Sequence, residues 1–275
     1  MLDSRFRGND ILKRIRKNQT VHPILLDTPY FSLKAYGLFV AIGFLAGISY
    51  CVREGRNQGY NQQHILDLGF YIILAAIVGS RVFYVLTNLE SYRHNLLDIF
   101  KVWQGGLTFF GGFLLALLVG IVYMKKFDLP VGKTLDLFAP SLAIGEFFGR
   151  IGCFFAGCCY GMECNLPWAV TFNNPQSLAR IGVPLHPTQL YAATAALVTF
   201  LILFFWKNRK SFDGQLALLW ILIYSAFRAA IEFFRGDPRG YLIMNTFAVS
   251  QVISSLLIII SLFLLIYLKP KDSSR

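Results

Sequence analysis

The stretch that decides the fold runs from residue 145 to residue 161 and reads GEFFGRIGCFFAGCCYG. It places Arg150 in the last half of an apolar segment that begins near Leu135. A charged guanidinium at that depth is costly in hydrocarbon, so Arg150 is expected to face the protein interior or a wet cavity and to meet an anion there. Three cysteines follow the arginine among small and aromatic residues: Cys153, Cys158 and Cys159.

The composition of the whole chain is that of a membrane protein. Of its 275 residues, 55% are hydrophobic and 15% are charged, and the mean hydropathy is +0.53, whereas a soluble domain carries about 25% charged residues. The apolar residues come in blocks long enough to cross a bilayer, without the alternation of barrel strands. The net charge of +11 therefore indicates basic cytoplasmic loops and anionic membrane lipids as partners, not nucleic acid.

Seven apolar segments predict an all-α polytopic membrane protein. They cover residues 32–51, 66–89, 107–124, 135–156, 189–206, 214–234 and 242–268. Each is close to the length of about 20 residues that a membrane-spanning helix needs. The longest polar connection, residues 157–187, is rich in Asn and Pro and predicts a small extracytoplasmic cap. We assign residues 21–270 to one seven-helix domain that carries this cap between its fourth and fifth segments.

Lys and Arg residues set the expected orientation. They are concentrated in the loops after the first, third and fifth segments and at the C-terminus. This distribution predicts that those regions lie in the cytoplasm and that the N-terminus lies outside. The strongly basic residues 1–20 contradict this orientation. Either residues 1–20 are wrongly included and the native chain begins at Val21, read from a valine start codon, as we favour, or the later loops set the topology.

The sixth segment carries a stripe of polar side chains. Tyr224, Arg228, Glu232 and Arg235 are spaced i, i+4, i+8 and i+11, so on a helix they share one face. One interpretation is a self-neutralising pair of Arg228 with Glu232, buried against neighbouring helices. That pair leaves Arg150 and Arg235 over. Because ionisable residues inside a membrane mark sites or pathways by default, we favour a functional site.

The arginines indicate the kind of ligand. A guanidinium donates two parallel hydrogen bonds and keeps its charge, which suits a phosphate. Two or three arginines around one pocket of low dielectric form a phosphate-binding site, with Arg150 and Arg228 at its centre. Arg81, in the second segment, is either a third member of this site or a structural partner of Glu146 or Glu232.

Two further motifs are weaker. The segment WQGGLTFFGGF, residues 103–113, contains two glycine pairs, and Gly111 and Gly112 allow the backbone to approach a ligand or another helix. In HPTQLY, residues 186–191, His186 lies near the membrane interface. It serves there either as a base or, as we favour, as a hydrogen-bonding anchor.

The cysteines between Cys153 and Cys164 follow the pattern C-x4-C-C-x4-C. Zinc sites usually use paired C-x2–4-C motifs, so neither a metal site nor a cofactor is expected. Adjacent Cys158 and Cys159 point apart in either a helix or a strand. Two interpretations remain: small buried packing residues, or a disulfide of Cys164 with Cys158 or Cys159 in an oxidising compartment.

Taken together, the motifs resemble one family, the prolipoprotein diacylglyceryl transferases of bacterial inner membranes. The similarity runs from Val21 to about Ile266. It includes, in this order, HPILL, YFSLKAYG, GSRVFYVL, FKVWQGGLTFFGG, GRIGCF, HPTQLY and YSAFRAAIEFFRGDP. Several such motifs in order across seven apolar segments are far more specific than any one of them.

The resemblance implies an enzyme that moves the diacylglyceryl unit of phosphatidylglycerol to the thiol of a lipobox cysteine in a preprolipoprotein. A thioether forms and glycerol phosphate is released. In this family Arg150 and Arg228 would hold the phosphate, and Glu232 would orient an arginine. The tyrosines would hydrogen-bond the head group. The matched functional positions are Tyr36, Arg150, Tyr224, Arg228, Glu232 and Arg235.

Three positions depart from the family's pattern. The histidine of its H-G-G motif, the family's proposed thiol activator, is Phe110 here, and an Asn and a Glu of the family are Cys153 and Cys158. The base is then Cys158 as thiolate, Glu146 or His186, or the acceptor thiol needs none. Two alternatives to the transferase stay open: a paralogue that binds phospholipid or modifies another acceptor, and a membrane thiol-redox or metal protein that uses the cysteines.

Overall fold

Long apolar helices dominate the computed structural model, which describes residues 21–28, 32–93, 96–101, 105–237, 241–243 and 247–269. Within these residues, seven helices are long and apolar enough to cross a membrane. The predicted all-α class and the predicted number of spans are confirmed. Residues 1–20, Trp103 and Arg239 lie outside the described residues. The helices are α1 (Ala35–Asn57), α2 (Gln62–Thr87), α3 (Phe109–Lys126), α4 (Val131–Ala156), α5 (Thr188–Trp206), α6 (Gln215–Glu232) and α7 (Val249–Tyr267).

The remaining regular elements are short. Leu89–Tyr92 forms one helical turn, and Leu96–Phe100 and Lys207–Arg209 form 3-10 turns. In the part of the chain that the structure describes, three antiparallel two-stranded sheets join neighbouring segments. They pair β1 (Ile24–Asp27) with β2 (Ser32–Lys34), β3 (Val170–Thr171) with β4 (Pro184–Leu185), and β5 (Tyr241–Ile243) with β6 (Phe247–Ala248).

The described chain divides into two compact units, and the division falls within α1 and α4. The first unit contains the residues up to Gly47 and those from Phe138 onward. In it, glycines let α1 and α4 approach closely: a Cβ on Gly43 would lie 3.0 Å from the carbonyl oxygen of Gly145, and one on Gly152 would lie 3.2 Å from that of Tyr36. Small residues at such contacts are the usual basis of helix packing in membranes.

The second unit, Ile48–Leu137, contains α2 and α3. A Cβ on Gly79 or on Gly111 would lie 2.4 Å from the carbonyl oxygen of the other residue. A Cβ on Gly112 would lie 2.2 Å from Oγ of Ser80. Both glycines of the predicted GG pair are therefore required for the close contact between α2 and α3.

The connection between α4 and α5 folds into a small cap with its own core. Val170, Phe172 and Leu185 are buried there and pack with Val21 and Ala179. The backbone is held by the pairing of Val170 with Leu185 and of Thr171 with Pro184. Because the core includes Val21, the start of the described chain is fixed to this cap.

Two predicted spans are longer than the helices of the structure. The sixth span was predicted to continue to residue 234 and to carry Arg235 on its face, but α6 ends at Glu232. There the chain turns, and Arg235 pairs with Gly161 in an isolated antiparallel bridge. The seventh span was predicted from residue 242, but residues 241–243 form β5 and the helix begins at Val249. Apolarity alone does not distinguish a short strand from the first turn of a helix.

Candidate active site

A pocket in the first unit brings together residues from α4, α5 and α6. The pocket is partly open, and its empty space, with the adjoining open solvent included, is about 350 Å³. Helix α5 contributes mainly small residues, among them Ala192, Ala195 and Ala196, and so leaves room between α4 and α6. The ionisable residues of the lining are Glu146, Arg150, Tyr224, Arg228 and Arg235. Arg150 and Arg228 thus face one shared cavity from two separate helices.

Each of the three arginines is oriented by a carboxylate. Arg150 donates to Oε1 of Glu146 from Nη2 at 3.1 Å and from Nε at 3.3 Å. On the next helix, Nη1 of Arg228 donates to Oε2 of Glu232. Both pairs have the i, i+4 spacing at which side chains of one helix meet. Arg81 was predicted as a possible partner of Glu146 or Glu232, but these carboxylates pair with arginines of their own helices.

The third arginine is positioned by the turn after α6. Nε and Nη2 of Arg235 each donate to the carboxylate of Asp237 at 2.8 Å, and its side chain is only 5% exposed. Burial acts to lower the pKa of Arg235, but Asp237 and Cys159 raise it more, so the pKa lies above its ordinary value. Arg235 therefore stays charged although it is buried. The sequence analysis missed Asp237, for which the RGDP motif was the available signal.

The ion pairs with carboxylates use only some of the N–H donors of these guanidinium groups. A guanidinium has five N–H donors in a planar fork, and the pairs with Glu146 and Glu232 use only part of them. Among the described residues that line the pocket, three are arginines and Glu146 is the single carboxylate. Its charged surface is therefore net cationic and suited to an anion.

Tyrosines complete the polar surroundings of Arg150. The phenol of Tyr224 lies close enough to the Arg150 guanidinium to interact with it electrostatically, and the Tyr224 ring stacks on Trp220 with centroids 5.5 Å apart and planes at 18°. The phenol of Tyr36 interacts electrostatically with Arg150 and with the nearby thiols. Tyr224 lines the pocket, whereas Tyr36 does not.

The predicted cysteine cluster is only partly assembled. The sulfurs of Cys153, Cys158 and Cys159 all lie within 4.8 Å of one another, and Cys164 is not part of this group. None of the five cysteines, all of which lie in the described residues, forms a disulfide, so the predicted alternative of a bridge with Cys164 does not occur.

The prediction that neighbouring Cys158 and Cys159 point apart is wrong. They lie in a turn after α4 instead of a helix or strand, and Cys159 has φ of +60°. Hydrogen bonds within the cluster raise the pKa of the Cys158 thiol. Hydrogen bonds from the other two cysteines, together with the guanidinium of Arg235, lower the pKa of Cys159.

His186 has the contacts of an anchor. Its Nδ1 lies 3.1 Å from the Tyr191 hydroxyl, which also accepts a hydrogen bond from Nε1 of Trp168 at 2.8 Å. The imidazole packs on Phe234, with ring centroids 5.3 Å apart. Its backbone exchanges hydrogen bonds with Gly161 and Met162. His186 thus joins the end of α6, the start of α5 and the cap.

Arg81 lies in the second unit, where its guanidinium binds backbone carbonyl groups. It donates to the carbonyl oxygens of Asp98 at 2.5 Å, Ile99 at 2.7 Å, Gly105 at 2.7 Å and Gly106 at 3.1 Å. The guanidinium also lies near the ring of Tyr92. These contacts hold the connection between α2 and α3 in place.

The fold and this pocket define the class of protein. It is a multi-pass membrane protein that presents several arginines to a cavity between its helices. The particular family follows from the comparison of sequences, since the model of the prolipoprotein diacylglyceryl transferase family matches residues 23–267. The chain belongs to that family.

Three relatives agree with this assignment, and each is called a phosphatidylglycerol–prolipoprotein diacylglyceryl transferase. The chain is 36% identical to that of Clostridium tetani over 244 residues, which cover 88% of this chain and 95% of the relative. It is 34% identical to the Finegoldia magna protein, over 86% of this chain and 91% of the relative. It is 35% identical to the Solidesulfovibrio magneticus protein, over 92% of this chain and 96% of the relative.

Proposed function

We propose that this protein transfers the diacylglyceryl group of phosphatidylglycerol to the cysteine thiol of a lipobox in preprolipoproteins. The observation that carries the proposal is the shared pocket of Arg150 and Arg228, which reach it from α4 and α6. Two guanidinium groups that converge from separate helices suit the phosphate of a phospholipid, and their planar donors match its oxygens. The small residues of α5 leave room for the glycerol part of the head group.

The reaction is a nucleophilic displacement at a glyceryl carbon. The acceptor thiolate attacks the carbon that carries the phosphate ester, a carbon–sulfur bond forms, and the carbon–oxygen bond to phosphate breaks. The electron pair of that bond stays on the phosphate oxygen, and glycerol phosphate leaves. Charge grows on this oxygen as the bond breaks, so the donors of Arg150 and Arg228 stabilise the transition state more than the bound lipid.

The surrounding residues take positioning roles in this proposal. Glu232 fixes the guanidinium of Arg228, and Tyr224 fixes that of Arg150. Arg235 supplies a third cation at the pocket, held by Asp237. Tyr36 reaches the head group from α1, while His186 holds the cap against the end of α6. Gly111, Gly112 and Arg81 shape the second unit, where the glycines allow α2 and α3 to approach and Arg81 holds the following connection.

The charge distribution supports one orientation in the membrane. Multi-pass proteins retain their Lys-rich and Arg-rich loops in the cytoplasm. We therefore propose a bacterial inner-membrane protein with its N-terminus outside and its C-terminus in the cytoplasm. The cap would then face the compartment in which preprolipoproteins emerge from secretion.

Complementation of a strain depleted of its own transferase tests the proposal. We expect growth with the wild-type chain and none with Arg150→Ala or Arg228→Ala at equal membrane levels. A purified assay with phosphatidylglycerol and a lipobox peptide should show the thioether by mass spectrometry. A folded protein that binds phosphatidylglycerol but forms no thioether would contradict the transferase assignment.

A further inference from the structure

Three sulfurs meet at the end of α4, beside the pocket. Cys153 lies in the last turn of the helix, and the chain then turns back through Gly157, with φ of +77°, and Cys159, with φ of +60°. A residue other than glycine, such as Cys159, rarely adopts a positive φ, and where it does the surrounding structure must hold it there. Its effect here is to bring the sulfurs of neighbouring Cys158 and Cys159 close to the sulfur of Cys153.

The turn is fixed by hydrogen bonds to its own backbone. Oγ1 of Thr188 donates to the carbonyl oxygen of Cys159 at 2.7 Å, and Nε2 of Gln189 donates to that of Cys158 at 2.8 Å. Both donor residues are almost fully buried at the start of α5, with 0% and 1% exposure. The sulfurs are therefore held by a rigid frame, as a ligand site requires.

The distances fit a thiophilic metal ion. A tetrahedral zinc with bonds of about 2.3 Å to sulfur keeps its ligand sulfurs roughly 3.8 Å apart. The three sulfurs lie within 4.8 Å of one another, so they need to contract by at most about 1 Å, which rotation about the Cα–Cβ bonds supplies. Three thiolates and one divalent cation carry a net charge of −1, and Arg235, which contacts Cys159, compensates it.

The cluster is continuous with the phosphate-binding pocket. Glu146, Arg150 and Cys153 are spaced i, i+4 and i+7 on α4, so they follow one face of the helix. Arg235 lines the pocket and also contacts Cys159. A ligand on the three sulfurs would therefore lie next to a molecule held by Arg150 and Arg235.

The pocket has a chemical need that such an ion would meet. The acceptor thiol must lose its proton to become a nucleophile. Among the described residues that line the pocket there is no histidine, and the only carboxylate, Glu146, is paired with Arg150. A thiol that coordinates a metal ion is deprotonated outright.

We infer that Cys153, Cys158 and Cys159 bind one divalent thiophilic cation of the zinc type, and that its open fourth position takes the acceptor cysteine. Zinc sites with three protein ligands and one exchangeable position are the usual catalytic form. The inference rests on the proposed function for the identity of the fourth ligand, although metal binding by the three cysteines does not depend on it.

The step balances without an oxidant or reductant. The acceptor thiol binds the cation through sulfur and releases its proton to water. The bound sulfur then forms the carbon–sulfur bond while the carbon–oxygen bond to phosphate breaks, and glycerol phosphate departs with the electron pair. The product is a thioether, which is a weaker ligand than a thiolate and leaves the cation.

Metal binding is tested on the full chain, purified in detergent, reduced with a phosphine and stripped by a chelator. Titration with Co²⁺ should give one ion per chain with the intense charge-transfer absorption of thiolate ligands, and Zn²⁺ should abolish the absorption. Cys153→Ser, Cys158→Ser and Cys159→Ser should each weaken binding at least about tenfold, since even the loss of an outer partner of a ligand costs that much. Cys164→Ser is the matched control and should bind as wild type.

The fourth position is tested by adding a lipobox peptide to the Co²⁺-loaded protein. We expect a further rise in the charge-transfer absorption, and none with a peptide in which Ser replaces the acceptor cysteine. Chelation should lower the rate of transfer at least tenfold, and Zn²⁺ should restore it.

Each result decides between the claims. Absence of a stoichiometric metal, equal weakening by Cys164→Ser, or a disulfide within the cluster that persists under reductant overturns the metal site. An unchanged spectrum with the peptide, or full transfer without metal, overturns the role of the fourth position. Metal binding with no transfer from phosphatidylglycerol would contradict the proposed function and leave the three-cysteine site intact.

Discussion

Arg81 and Arg150 both interrupt long apolar helices, but the two sites satisfy their charges differently. Arg81 is 7% exposed and donates to four backbone carbonyl oxygens of one loop. Arg150 pairs with Glu146 and lines an open pocket together with Arg228. A guanidinium enclosed by carbonyl groups stabilises the conformation of the loop around it. One that is oriented by a single carboxylate still has N–H donors available for a ligand. Depth in an apolar helix alone therefore does not identify a binding arginine.

Substitution by lysine should separate the two roles most strongly. Lysine keeps the charge but loses the planar fork. We expect Arg150→Lys to lower kcat/KM for transfer by about 10²-fold, which is roughly 2.7 kcal/mol of transition-state stabilisation, with little change in thermal stability. We expect Arg81→Lys to lower the midpoint of thermal unfolding in detergent, because each lost hydrogen bond from a charged group costs about 1.5–3 kcal/mol.

Transfer of diacylglyceryl to a lipobox peptide and heating followed by size-exclusion chromatography measure these two quantities. The activity of Arg81→Lys is counted per folded molecule. The comparison would break if Arg81→Lys lowered kcat/KM as much as Arg150→Lys while its unfolding midpoint stayed that of the wild type. Arg81 would then be a substrate-binding residue, as the sequence alone allowed.

The loop around Arg81 offers a matched pair of glycines. Both Gly105 and Gly106 have positive φ, of +91° and +74°. A Cβ on Gly106 would lie 2.6 Å from Tyr84 and 2.7 Å from Nη1 of Arg81, but one on Gly105 would meet nothing within 4 Å. We expect Gly105→Ala to cost about 1 kcal/mol through backbone strain. Gly106→Ala should cost about 1–3 kcal/mol more through overpacking.

Thermal unfolding of the two variants in parallel checks this difference. Equal midpoints would mean that the guanidinium of Arg81 moves away without loss, and the enclosed site would then be less rigid than its hydrogen bonds indicate.

A smaller effect is expected at the open pocket around Arg150. The hydroxyl of Tyr224 interacts with the Arg150 guanidinium, and its ring stacks on Trp220. Tyr224→Phe keeps the stack and removes the hydroxyl from Arg150, so we expect kcat/KM to fall about five- to tenfold, or ~1–1.4 kcal/mol. The unfolding midpoint should be unchanged. A fall in stability without a fall in rate would show that the hydroxyl supports packing and not the orientation of Arg150.

The same contrast shows what the sequence could predict. Hydropathy was sufficient to predict the seven spans, because the thickness of a bilayer sets the length of a membrane-spanning helix. The i, i+4 spacing predicted the pair of Arg228 with Glu232, and the same spacing was available for Glu146 with Arg150. Neither pattern could indicate that Arg81 would meet backbone carbonyls, since those lie in a loop with no period of its own.

Local turns account for the other differences. The face of α6 was extended to Arg235, but the chain leaves the helix after Glu232 and bridges to Gly161. The prediction that Cys158 and Cys159 point apart assumed regular backbone, and a positive φ at Cys159 removes that assumption. Such conformations depend on tertiary hydrogen bonds, which a pattern within one segment does not contain.

The smallest expected effect concerns the position at which the family's pattern carries a histidine. Phe110 has no atom that accepts a proton, and its side chain is 54% exposed in the second unit. If the metal ion on the three cysteines ionises the acceptor thiol, an added base is redundant. We expect Phe110→His to leave kcat/KM within about twofold of the wild type in zinc-loaded protein, with Phe110→Leu as the control for lost aromatic packing. General base catalysis typically contributes about 10²–10⁴-fold. A rise of tenfold or more in Phe110→His alone would therefore show that thiol ionisation limits the wild-type enzyme and would contradict the role of the metal.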